Sequence, residues 1–101
     1  VQELRYWLNI FRSFFKLFLK KMTINILAFG IVKEIVSSSR KALELGDSTT
    51  VARLKNMLET AYPEMKQLKS YMVAVNDDYA EDDLILSAND EVAIIPPVSG
   101  G

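Results

Sequence analysis

The chain has 101 residues, half of them hydrophobic and a quarter charged, enough to build one globular core and too few for two. It contains no cysteine and no histidine, which excludes disulfide staples, zinc sites and thiol or Ser-His nucleophile systems and leaves carboxylates as its own reactive groups. The net charge is −1, yet all 12 Lys and Arg precede residue 70 and 7 of the 13 Asp and Glu follow it; from Met22 onward there are 7 basic and 12 acidic residues, a balance that excludes the basic face of a nucleic-acid binder.

Residues 1–21 read as one basic amphipathic helix. Leu4, Trp7, Leu8, Phe11, Phe14, Phe15 and Phe18 fall on one side, opposite Gln2, Arg5, Asn9, Arg12, Ser13, Lys16 and Lys20. Recurrent charges exclude a membrane span, and no uninterrupted apolar stretch leads to a cleavage site. Such a helix can lie in a membrane interface, target the chain to an organelle or pack on a partner. The favoured reading is an extension ahead of a start at Met22, with membrane contact by residues 1–21 the lesser alternative. The domain is then expected over 22–96, followed by a flexible tail, 97–101.

Thr23 to Phe29 is apolar, rich in β-formers and ends at Gly30, as a buried strand does. Ile31 to Val36 is one or two helical turns, and Arg40 to Leu45 a second short strand closed by Gly46-Asp47. Asp47-Ser48-Thr49-Thr50 supplies N-caps for a helix over 50–61, in which Val51, Leu54, Met57, Leu58 and Ala61 share a face and Pro63 forbids continuation at Tyr62. Tyr71 to Val75 is a strand that stops at Asn76-Asp77-Asp78, Leu84-Ile85-Leu86 a short apolar island read as a strand, and Glu91 to Ile95 a last strand cut off by Pro96-Pro97. One amphipathic helix must cover one face of a mixed sheet, so the predicted fold is an α+β roll of the ubiquitin-like, β-grasp kind.

The chain ends Pro96-Pro97-Val98-Ser99-Gly100-Gly101. Five residues from Pro97 reach roughly 17 Å when extended. The prolines keep the base straight, and the glycines make the tip thin enough for a narrow cleft.

From Met22 to Gly101 the chain resembles the small subunits of molybdopterin synthases, which are β-grasp sulfur carriers. The likeness rests on Phe29-Gly30, the helix Thr50-Val51…Leu54…Leu58, Val73-Ala74-Val75-Asn76 and, above all, Asp90-Glu91-Val92-Ala93-Ile94-Ile95-Pro96-Pro97-Val98-Ser99-Gly100-Gly101. Asn89 stands where that family usually has Gly, a substitution that a left-handed turn tolerates, and Ile94-Ile95 replaces a commonly aromatic pair. The resemblance implies a carrier that borrows its catalytic groups. An E1-like enzyme uses ATP to adenylate Gly101, a sulfur donor displaces AMP to leave a thiocarboxylate, and the large subunit of a heterotetramer delivers that sulfur to cyclic pyranopterin monophosphate in molybdenum-cofactor synthesis. Pro97, Val98, Ser99 and Gly100 would insert, while Asp90, Glu91, Ile94, Ile95 and Pro96 would meet the partner, the two acids guiding it toward basic surfaces. No metal and no resident cofactor are expected, and the location implied is the cytoplasm. Sulfur supply for thiamine and conjugation through Gly101 as a protein modifier remain as alternatives. The remaining acids, Asp77, Asp78, Glu81, Asp82 and Asp83, lack the EF-hand spacing and read as a solvated face.

Overall fold

A computed structural model describes residues 2–18, 21–68 and 70–97, arranged as α1 (Gln2–Phe18), β1 (Lys21–Ala28), α2 (Gly30–Val36), β2 (Arg40–Gly46), α3 (Val51–Ala61), a 3-10 turn (Pro63–Gln67), β3 (Met72–Val75), β4 (Asp78–Tyr79) and β5 (Glu91–Ile95). The five strands form one sheet in the order β2-β1-β5-β3-β4. β1 runs parallel to β5, from Asn25 opposite Glu91 to Ala28 opposite Ile94, and every other pairing is antiparallel. This is the mixed sheet of a β-grasp roll, and α1 forms as its amphipathic pattern predicts, with Leu4, Trp7 and Phe11 each about two-thirds exposed.

Period-two alternation decides which side of the sheet the helices cover. Ile24, Ile26 and Ala28 of β1, Val73 and Val75 of β3, and Val92 and Ile94 of β5 are buried, and against them pack Val32 and Val36 of α2 and Val51, Leu54 and Leu58 of α3. Met72, which alternation alone could have placed on either face, is half exposed on the other side. Met65 from the 3-10 turn is 1% exposed. That core residue follows Pro63, where helical periodicity stops.

Thr50 caps α3, its Oγ1 accepting the Arg53 N–H at 3.2 Å. The two preceding amides are satisfied from far along the chain: Val51 donates to the Leu84 carbonyl and Ala52 to the Asp82 carbonyl, both at 3.0 Å. The apolar island at Leu84-Ile85-Leu86 therefore does not form the expected strand. Ile85 makes one bridge to Thr50, and Leu86 drops into the core at 2% exposure. The additional strand is instead β4, formed because Asn76 and Asp77 both take left-handed φ, 51° and 75°, and turn β3 back on itself in two residues.

Tyr71, immediately before β3, donates its hydroxyl to Glu59 Oε2 of α3 at 2.7 Å. Burial, reinforced by the neighbouring Glu59 carboxylate, raises its pKa well above the ordinary tyrosine value. Because the folded state holds this proton more tightly than the unfolded one, the stability linked to it is complete below about pH 10 and declines as pH rises further. Urea denaturation at about pH 9 and about pH 11 should show a smaller alkaline loss in Tyr71→Phe than in the parent. In the core, Leu54→Ala, at a fully buried position, should cost about 2–5 kcal/mol in the same measurement, and Met57→Ala on the 39% exposed side of the same helix much less.

Candidate functional site

The tail leaves from β5, which lies between β1 and β3 in the sheet, so its starting direction is held from both sides. Pro96 sits against the beginning of α2. Gly30 there has φ +54°, and a Cβ on it would come within 3.3 Å of Pro96 Cγ. Glycine alone meets both demands, a left-handed backbone and a proline ring in close approach. Pro97 is exposed, and Val98, Ser99, Gly100 and Gly101 lie outside the described residues.

The loop ahead of β5 is tied down by one carboxylate. Asp90 Oδ1 accepts the Asn76 side-chain amide at 2.9 Å and Oδ2 accepts the Ser87 N–H at 2.7 Å, while Asn76 Oδ1 accepts the Glu91 N–H at 3.0 Å. Asn89 adopts φ 67° beside it, as expected of an asparagine in a glycine-like position. Asp90 therefore acts first as a clamp that sets the start of β5 against the β3–β4 turn, with both oxygens engaged inside the molecule. Glu91 is exposed and pairs with Arg40 Nη2 at 3.3 Å, so its charge too is partly met from within.

Ile94 and Ile95 separate across the sheet. Ile94 is fully buried in the core, so its side chain has no surface to offer a partner, whereas Ile95 is half-buried on the face away from α3. There it joins Leu27, Phe29, Ala93 and Tyr79 around a shallow depression of about 280 Å³. Phe29, Met72 and Tyr79 are 51%, 51% and 69% exposed. An apolar sheet face with large exposed side chains beside the tail base has the composition of a protein-docking surface. Phe29, Met72 and Tyr79 are not legible as site residues in the sequence. Met72 is out of phase with the buried Val73 and Val75 of β3, and Phe29 with the buried Ile24, Ile26 and Ala28 of β1 that precede it, a signal that cannot be used until the buried face is known, while Tyr79 lies on β4, which has no buried residue. Among the described residues, no three carboxylates gather closely enough to hold a metal ion, and no helix is long and apolar enough to cross a membrane.

The contact between Gly30 and Pro96 can be probed directly. Gly30→Ala should cost about 1–2 kcal/mol from the left-handed backbone alone. Thermal unfolding of Gly30→Ala combined with Pro96→Ala should recover only the steric remainder.

The sequence model of the ThiS family matches residues 26–101. The molybdopterin synthase sulfur carrier subunit of Dictyostelium discoideum is 39% identical over 80 residues, covering 75% of this chain and 93% of that protein. Among solved structures, the small archaeal modifier protein 1 of Haloferax volcanii aligns with TM-score 0.67 and 21% identity over 76% of this chain and 99% of that one. Subunit 1 or 2 in the molybdopterin-converting factor complex of Helicobacter pylori aligns with TM-score 0.56 and 22% identity over 79% of this chain and 100% of the matched one. At these identities the structures speak for the fold, and the family rests on the sequence match, which runs from the middle of β1 through the diglycine tail: the chain belongs to the ThiS family.

Proposed function

We propose that this protein is the sulfur carrier of a molybdopterin synthase, holding sulfur as a thiocarboxylate on Gly101. One observation carries the reading most directly: a central strand, β5, runs straight into Pro96-Pro97 and the tail, next to an exposed apolar face. The curated relative at 39% identity is a sulfur carrier subunit of that synthase.

A carboxylate is a poor acyl donor, since its charge is delocalised and oxide is a bad leaving group. Activation is therefore the first chemical requirement. An E1-like enzyme adenylates Gly101 with ATP, and a sulfur donor protein displaces AMP, leaving a soft sulfur nucleophile at the tip of the tail. Residues of this chain supply reach and positioning. Pro97 to Gly100 thread the tip into the active site of the large subunit, the face carrying Phe29, Ile95, Met72 and Tyr79 docks outside it, and the catalytic groups belong to the partner. The molybdopterin-converting factor of Helicobacter pylori, solved as a complex of subunits 1 and 2, supports a second subunit as the partner. We place these reactions in the cytoplasm.

Incubation with ATP, the activating enzyme and a sulfur donor should give an intact-mass gain matching exchange of one oxygen for sulfur, mapped to Gly101. Removing Gly101 should abolish the gain and leave the fold unchanged by circular dichroism. Thiocarboxylation retained without Gly101 overturns the reading. Higher-mass conjugates that resist reducing agents would assign the tail to protein modification instead, the role that the name of the Haloferax volcanii neighbour gives to that protein.

A further inference from the structure

β2 is an outer strand of the sheet, seven residues long from Arg40 to Gly46. The phase of its ladder follows from one hydrogen bond, Ala28 N–H to the Ser39 carbonyl at 3.0 Å. Ser39 thus faces β1, as do Lys41, Leu43 and Leu45, and the backbone groups of Arg40, Ala42 and Glu44 point away from the sheet. Ser38 corroborates this phase, because its hydroxyl reaches both outward groups of Arg40, donating to the carbonyl at 2.6 Å and accepting the N–H at 3.3 Å. The outward groups of Ala42 and Glu44 have no partner among the described residues. A row of free donors and acceptors on an extended outer strand is a template for another strand.

We propose that the occupant is a second copy of this chain, joined by antiparallel β2–β2 pairing about a two-fold axis at Ala42. In that register the outward groups of Ala42 bond reciprocally, and Arg40 of each copy lies directly opposite Glu44 of the other, so that each outer side of the interface carries an opposite-charge pair. A register centred on Glu44 would place two carboxylates face to face and is disfavoured for that reason. Arg40 is available for the exchange, since its pair with Glu91 is exposed on both sides and of little strength. Rotation of the Ser38 hydroxyl then frees the remaining backbone groups of Arg40 to meet Glu44 of the other copy.

On the opposite face of the strand, Lys41 comes beside Leu43 of the other copy. Its ammonium is folded back to donate to the Tyr62 hydroxyl at 2.6 Å, so the aliphatic stem faces the neighbour. An apolar groove of about 240 Å³ between β2 and α3, lined by Leu43, Met57 and Tyr62 among others, lies next to this line, and the two copies bring their grooves side by side. The apolar face at the tail base is on the other side of the sheet and stays open, so both tails remain free in the pair.

Sedimentation equilibrium of the full chain from micromolar to millimolar concentration tests the pairing. The parent should pass from one chain to two. Ala42→Pro removes an outward N–H while sparing the β1 ladder and should remain a single chain. Glu44→Arg, which sets like charges opposite each other, should weaken association about tenfold or more, and Arg40→Glu combined with Glu44→Arg should restore it. Circular dichroism establishes that each variant is folded. A parent that stays a single chain throughout overturns the proposal, as does association that is equal in the parent, Ala42→Pro and Glu44→Arg, because α1 or another surface would then be responsible.

Discussion

Parallel pairing of β1 with β5 is the constraint on which everything else in this molecule rests. Two strands separated by more than sixty positions in sequence are brought side by side, and the chain between them must leave the sheet, cross it and return. α3 and the 3-10 turn, which carry the chain from β2 at one edge to β3 beyond β5, are that crossing, and α2 packs on the same face. The fully buried residues Ile24, Val92 and Ile94 lie on these two strands, and Leu54 and Val51 of α3 close over them. Burying an aliphatic side chain of this size stabilises by about 1.5–3 kcal/mol, so this seam supplies a large share of the hydrophobic stabilisation available to so small a domain. It also gives the tail a fixed origin, since a strand hydrogen-bonded on both sides cannot swing.

The two faces of the sheet have separate tasks. One is sealed by helices and stores stability; the other exposes Phe29, Met72 and Tyr79 around the emerging tail. The division follows from geometry, because surface left open for recognition cannot also be buried as core. Polar residues that look available for recognition are partly consumed by the fold. Asp90 spends both oxygens on the approach to β5, and Glu91 leans on Arg40.

Sequence reasoning recovered the elements whose signals are local. α3 begins after a capping threonine and ends before Pro63, and its observed span, Val51–Ala61, follows from those two chemistries. β5 is bounded as read, by an acidic pair and a proline pair. The failures occur where the deciding interaction is remote. Leu84 to Leu86 has the composition of a strand, but the Leu84 carbonyl accepts the Val51 N–H and the Leu86 N–H donates to the Thr49 carbonyl, so the segment is held at the N-terminus of α3 rather than in the sheet. β4 was hidden because neither Asn76 nor Asp77 is a glycine, although both carry the positive φ of a two-residue hairpin. Ile94 and Ile95 look equivalent in sequence, and only the phase of the ladder separates a core residue from a surface one.

The docking of the 80–90 segment onto α3 sets how the molecule can open. Leu84 and Asp82 hold the first two amides of the helix, Leu86 plugs the core beneath them, and Asn89 is bonded to the Thr23 carbonyl of β1 at 2.8 Å. Lifting this segment uncaps the helix, opens the core and loosens the start of β5 in one motion. The loop is irregular in outline, yet it belongs to the same cooperative unit as the sheet. Amide hydrogens of Val51 and Ala52, which would exchange early at an ordinary frayed helix end, are then released only by an opening that extends to the start of β5.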